Sequence, residues 1–287
     1  MNAATPNSVF AIAPGAGDLP KLTLLAPDGA RAEIYLHGAH VTSWVPAGGS
    51  ERLFMSRASQ FKPGSPIRGG IPLVFPQFGM TGPLAQHGFA RVMPWEFVGA
   101  EAMGASASAV FRLRDTEDSR RLWAGAFLAE LTVAIGGNQL TATFAITNTG
   151  AESFTFTSAL HTYFAVTDLA ATAVEGLAGV RYCDAAAGGL ETQQVAPRVD
   201  FTGEVNRIYF DTPAELRLVE PGRMTLIRSA GFPDTVVWNP AAAKCATMSD
   251  LEPDDYQRFV CVEAAVIGMP VSLTPGARWQ GAQTLAF

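Results

Sequence analysis

The stretch "LTATFAITNTG", Leu140 to Gly150, decides the fold class. Leu140, Ala142, Phe144 and Ile146 fall on one side of an extended chain, Thr141, Thr143 and Thr147 fall on the other, and Asn148 to Gly150 supply a turn. A period of two lets one face of a strand cover a core while the other meets water. Similar runs are readable at Lys21–Ala26, Ala32–Leu36, Phe127–Ile135, Glu215–Val219, Met224–Ser229 and Phe259–Ala265, whereas the 3.6-residue period of an amphipathic helix hardly occurs. The 28 glycines and 19 prolines lie mostly between these runs, as many short strands joined by turns require. The expectation is an all-β chain. No internal repeat of fixed period is found. The segments Gly99–Ala109 and Asp184–Val199 read as surface loops within one domain, since the composition does not shift after either.

Length and composition limit the function. At 287 residues the chain is long for one average domain, yet all-β domains of about 200–250 residues are common. With 48% hydrophobic and 16% charged residues it has ample material for a core and no compositional case for disorder. A formal net charge of −6 argues against a nucleic-acid surface, which needs clustered Lys and Arg to displace counterions. An anionic partner must then be small and gripped by local arginines. Three cysteines, Cys183, Cys245 and Cys261, form no C-x-x-C pair and suit a reducing compartment. The segment Met1–Lys21 has no basic residue before Lys21 and no long apolar run, so it does not read as a targeting peptide. No window approaches about 18 consecutive apolar residues. These features are those expected of a soluble, cytoplasmic protein with no membrane partner.

In "FTFTSALHTYFAV" (154–166) the same alternation puts Phe154, Phe156, Leu160 and Phe164 on one face, and Thr155, Thr157, Ala159, His161 and Tyr163 on the other. His161 on that hydroxyl-rich face is either a half-buried imidazole satisfied by a neighbour or a functional group. In "RFVCVEAAVI" (258–267), Glu263 shares a face with Phe259, Cys261 and Ala265, where a carboxylate is expensive to desolvate unless it is paired or used. Lone ionisable groups on two strands are candidates for a general acid and base, or for a structural ion pair. Asp234 in "GFPDTVVWNP" is either a turn acid or an acceptor for the hydroxyls of a polyol, with Trp238 covering C–H faces. Arg68 stands in "SPIRGGIPLVFPQFG" beside Gly69 and Gly70, where backbone can approach a ligand, and Arg91 closes "QHGFAR" after His87. Two guanidinium forks could hold one dianion. His37 and His40 invite a metal reading but lack a third ligand nearby, so no metal or cofactor is expected. No nucleotide-loop or serine-hydrolase motif is present.

Taken in order, "IRGGIPLVFPQFG", "QHGFAR", "ALHTYF", "FPDTVVWNP" and "RFVCVEAA" resemble the aldose 1-epimerase family, and within it the glucose-6-phosphate 1-epimerases. The resemblance spans Ile67 to Ala265 and departs at Ala241, where relatives often carry tryptophan. It implies one domain over residues 1–287 with a galactose mutarotase-like antiparallel β-sandwich of supersandwich type, acting as a monomer on a small sugar phosphate without cofactor. By motif position His161 matches the general acid and Glu263 the general base, His87 and Asp234 match sugar contacts, and Arg68 and Arg91 match phosphate-associated arginines. The implied activity is interconversion of α and β anomers. A mutarotase of neutral aldoses, a non-catalytic carbohydrate-binding protein on the same fold and a polysaccharide-processing enzyme on a related sandwich are the alternatives.

Overall fold

The computed structural model describes residues 9–287, and Met1 to Ser8 of the segment read for targeting signals lie outside that range. Among the described residues there are two short α-helices, Glu117–Leu122 and Ala241–Cys245, and the remaining regular structure is almost entirely strand. The strands read from alternation are present: Pro20–Leu25, Arg31–Tyr35, Phe127–Gly136, Gln139–Asn148, Glu215–Glu220, Arg223–Ala230 and Phe259–Leu273. All inter-strand ladders pair antiparallel, in sheets of four, eight and nine strands. One apolar cluster joins them: Leu22 and Trp44 come from the four-stranded sheet, Phe111, Leu131 and Phe144 from the nine-stranded, and Phe156 and Val262 from the eight-stranded.

Two expected loops are corrected. Gly99–Ala109 belongs to a hairpin of Glu96–Met103 with Ser106–Arg114, in which Ala107, Ala109, Phe111 and Leu113 face the core. Asp184–Val199 contains the exposed strand Leu190–Gln193, paired to Arg181–Asp184, and the start of Arg198–Asp200, paired to Ala173–Glu175.

The eight-stranded sheet positions the site. Its strand Phe259–Leu273 lies between Asp234–Asn239 and Phe154–Leu160. Val260, Val262 and Ala264 enter the inter-sheet core, while Phe259, Cys261 and Ala265 enter a second apolar cluster on the opposite face with Ala159, Tyr163, Val236 and Trp238. Both faces of this strand are therefore dry over Phe259–Val266.

Beside it the chain breaks. Phe154–Leu160 stops, His161 and Thr162 leave the ladder, and Tyr163–Ala165 resumes pairing with the same neighbour. Gln283, buried on the facing nine-stranded sheet, bridges the interruption: the Thr162 hydroxyl donates to Oε1, and Nε2 donates to the Val262 carbonyl at 3.0 Å. Replacing Gln283 by the similarly shaped Met strands both groups in an apolar interior. We expect Gln283→Met to lower stability by about 2–3 kcal/mol, read as a lower urea midpoint at unchanged slope. An unmoved midpoint would show that the bridge carries no load.

Candidate active site

Leaving the ladder at residue 161 turns the imidazole toward the adjacent strand, where Glu263 stands in register with Val236. His161 Nδ1 lies 3.3 Å from Glu263 Oε1, although the residues are 102 apart in sequence. The approach is close without being a well-aligned hydrogen bond: Nδ1 of His161 and Oε2 of Glu263 have no hydrogen-bond partner among the described residues. With 6% and 1% of their surfaces exposed, both are shielded from water, and burial acts on each in the direction of its neutral form. Burial, with help from His87, Arg68 and Arg91, holds the imidazole well below its usual range, and burial pushes the Glu263 carboxyl well up despite the opposing field of Arg91. Tyr163 lies flat on the imidazole, with ring centroids 4.9 Å apart and planes 8° from parallel, while Trp238 and His87 meet it edge-on. Three rings thus fix its plane.

The pair sits in the wall of a cavity of about 440 Å³ that is also lined by Arg68, His87, Arg91 and Trp238. Arg68 Nε donates to Asp250 Oδ2 at 3.0 Å and Nη1 donates to the Tyr163 hydroxyl at 2.8 Å. Burial alone would lower its pKa, but Tyr163 and Asp250 outweigh burial and raise it. Arg91 differs. Its Nη2 donates to the Gln86 carbonyl at 2.8 Å, no carboxylate pairs with it among the described residues, and burial pulls it down to about 10. It is a cation short of an anion. His87 has a positive φ of 67°, and its Nδ1 accepts the Gly79 amide at 3.2 Å. Burial, then Arg91 and Arg68, lower its pKa to about 3, so the ring is neutral and its proton is on Nε2.

The geometry also places the other residues singled out from sequence. Asp234 does not line the cavity: Oδ2 accepts the amides of Ile267 and Gly268 at 2.7 and 2.8 Å, so the carboxylate secures the end of a strand pair. Gly69 and Gly70 serve packing and not a ligand, because a Cβ at either would collide with the carbonyl of Phe54 or Val41. His37 and His40 are engaged by backbone: each Nε2 lies 2.7 Å from a carbonyl, of Ser65 and Gly69 respectively, and burial lowers His40 to about 3. Finally, His161 is not satisfied by a neighbouring hydroxyl on its polar face. Cys261 gathers with His161 and Glu263, their donor atoms lying within 4.8 Å of one another, and burial pushes its thiol pKa well up. Asp250, Tyr163 and Gln283 escaped sequence reading, because each acts on a residue far along the chain.

Residues 20–286 match the aldose 1-epimerase family model. A protein of Cenchrus ciliaris named "Putative glucose-6-phosphate 1-epimerase" is 36% identical over 275 residues, covering 92% of this chain and 83% of its own. One of the same name from Escherichia coli strain K12 is 33% identical over 240 residues, 82% and 79% of the two chains. Among solved structures, a "putative mutarotase" from Salmonella typhimurium superposes with a TM-score of 0.91 at 29% identity, covering 100% of this chain and 95% of its own. A galactose mutarotase-like protein from Lactobacillus casei shares the fold at a TM-score of 0.74 and 17% identity, over 93% and 99%. The fold is thus the galactose mutarotase-like sandwich.

The placement of Asp234 is testable by stability. Asp234→Ala frees the part-buried amides of Ile267 and Gly268, and we expect a loss of about 1–3 kcal/mol in urea unfolding. A variant as stable as the parent but weaker in ligand binding would return Asp234 to the cavity.

Proposed function

The chain belongs to the aldose 1-epimerase family, and from that premise we propose that it interconverts the α and β anomers of a hexose 6-phosphate, with glucose 6-phosphate as the first substrate to test. The isomerase class follows from the family, and the relatives' names support the phosphorylated substrate. The observation that carries the substrate reading is the meeting of the buried His161–Glu263 pair with two arginines around one cavity. In a hexose 6-phosphate only the short path O5–C5–C6–O6–P separates the ring oxygen from phosphorus. A group that protonates O5 must therefore stand near whatever grips the phosphate, and the fields of Arg68 and Arg91 do reach His161.

In the proposed mechanism Glu263 takes the proton of the C1 hydroxyl while His161 gives one to the ring oxygen; the C1–O5 bond breaks, C1 becomes a carbonyl, and rotation about C1–C2 precedes reclosure on the other face. The roles reverse on closure. The pair needs one proton in total. Burial favours neutral imidazole beside neutral carboxylic acid, and the reactive imidazolium–carboxylate form has the same number of protons, so passing between them across 3.3 Å requires none from solvent. His87 offers its Nε2–H to a sugar oxygen, and Trp238 gives the ring an apolar wall. The proposed unit is a monomer of one domain working on a free sugar phosphate, with no nucleic acid or membrane partner. Among the described residues no helix is long and apolar enough to cross a membrane.

His161→Ala and Glu263→Gln are each expected to slow anomer exchange by about 10²–10⁴-fold, measured by NMR exchange between the anomers, and the double variant should lose far less than the product of the two. Near-parental exchange in either single variant would reject the assignment.

Arg91→Ala should raise KM for glucose 6-phosphate by roughly ten- to a hundredfold and leave kcat nearly unchanged, because the contact is similar in ground and transition states. Turnover of free glucose, poor in the parent, should not fall further. Equal losses toward both sugars would favour a mutarotase of neutral aldoses.

The pH profile of kcat/KM, which follows the ligand-free protein, reports the one-proton pair. Gain of a second proton inactivates it, and because His161 is lowered this acid limb lies well below pH 6.5. Loss of the single proton also inactivates it, and because Glu263 is raised this limb lies well above pH 4.5. We expect one broad maximum. A narrow bell confined between those two values would show that the groups titrate as they do in water.

A further inference from the structure

Arg68 is held more firmly than contact with a ligand demands. A guanidinium has five N–H donors. Nε of Arg68 donates to Asp250 Oδ2 at 3.0 Å, Nη2 lies 2.9 Å from the same oxygen, and Nη1 donates to the Tyr163 hydroxyl at 2.8 Å. With three donors engaged, two remain on a side chain that lines the cavity. Tyr163 is buried and stacks face to face on His161. Asp250, Arg68, Tyr163 and His161 therefore form one continuous train, from the loop after helix Ala241–Cys245 to the imidazole.

We propose that Asp250 and Tyr163 are positioning residues that fix the guanidinium of Arg68, so that its two remaining N–H groups meet the substrate phosphate in one orientation and hold the ring oxygen in register with His161. The inference rests on the proposed hexose-phosphate reading. A free arginine side chain has rotamer entropy to lose on binding; a side chain already tethered at both edges loses little of it. Charge argues in the other direction. A carboxylate about 3 Å from the guanidinium repels an incoming dianion, so Asp250 aids binding through geometry alone. Tyr163 adds the link to the acid, because the ring whose hydroxyl takes Arg68 is the ring on which His161 lies.

The two effects of Asp250 have opposite signs, which makes its removal decisive. For Asp250→Ala we expect KM for glucose 6-phosphate to rise about tenfold, kcat to stay within about twofold and turnover of free glucose to be unchanged. Tyr163→Phe keeps the stacked ring and should move KM in the same direction by a smaller factor. Asp250→Glu, which restores an acceptor, should recover part of the loss. In an Arg68→Ala background, Asp250→Ala should add less than about twofold, since its route is gone. Thermal melting of each variant identifies loss of fold. A KM that falls or stays constant in Asp250→Ala would overturn the proposal in favour of a charge effect, and so would an equal loss toward glucose and glucose 6-phosphate. A parent that shows no preference for glucose 6-phosphate over glucose rejects the hexose-phosphate reading itself, and this inference with it, before any substitution is made.

Discussion

A carboxylate on a strand that is dry on both faces is the constraint from which the rest of the site follows. Residues Phe259–Val266 are all buried, with the inter-sheet core beneath them and the Tyr163–Trp238–Phe259 cluster above. An ionised Glu263 in that position lacks water and must find a cation, a proton or a substrate hydroxyl. The neighbouring strand supplies the partner by failing as a strand. Had Phe154–Ala165 continued without interruption, residues 161 and 162 would have remained in the ladder. The break frees His161 to approach Glu263, and the polar groups released at Thr162 and Val262 are met by Gln283 from the facing sheet. Both layers of the sandwich thus take part in building the pair.

The cavity is cationic within an acidic protein. A net charge of −6 gives a dianion no long-range welcome, so binding must come from local groups whose charge is not already spent. Lys244 lines the cavity but is paired with Glu204, and Arg68 is paired with Asp250. Among the described residues Arg91 is bound only by a carbonyl. Burial lowers its pKa, and among the described residues no carboxylate pairs with it, which is why the proposed reading assigns it the substrate anion. On the proposed reading Arg68 would contribute direction and Arg91 unspent charge.

How far the sequence could be read follows the range of the interactions involved. Strands such as Gln139–Asn148 were legible because alternation is local and because large apolar residues mark the inward face. The hairpin over Gly99–Ala109 was not: its inward positions include Ala107 and Ala109, and alanine alternating with serine and glycine gives almost no hydrophobic contrast. The acidic and imidazole residues of the pair were visible as chemically misplaced groups, Glu263 in an apolar run and His161 in a ribbon of hydroxyls. Their contact was not visible, since it depends on the register of two strands 102 residues apart. Asp234 illustrates the reverse error. Its proximity to a tryptophan suggested a sugar contact, whereas the kink at Ile267 and Gly268 on the next strand claims its oxygen. Asp250, 182 residues from Arg68, carries no local mark at all.

Anomerisation also limits how a substrate can be held. The open-chain intermediate must turn about C1–C2 before the ring recloses, so directional contacts spread evenly around the sugar would lock one face and oppose the reaction. The cavity wall carries Arg68 and Arg91, assigned on the proposed reading to the phosphate end, and sets Trp238 and Phe78 beside them, where apolar contact tolerates sliding. On the proposed reading the groups assigned to C1 and O5 are the buried pair and the single N–H of His87, whose ring is held by the Gly79 amide in a backbone conformation that few non-glycine residues adopt. On that reading, a grip at the phosphate end and the His161–Glu263 pair at the other would let the reacting carbon move while the proton donor and acceptor remain in place.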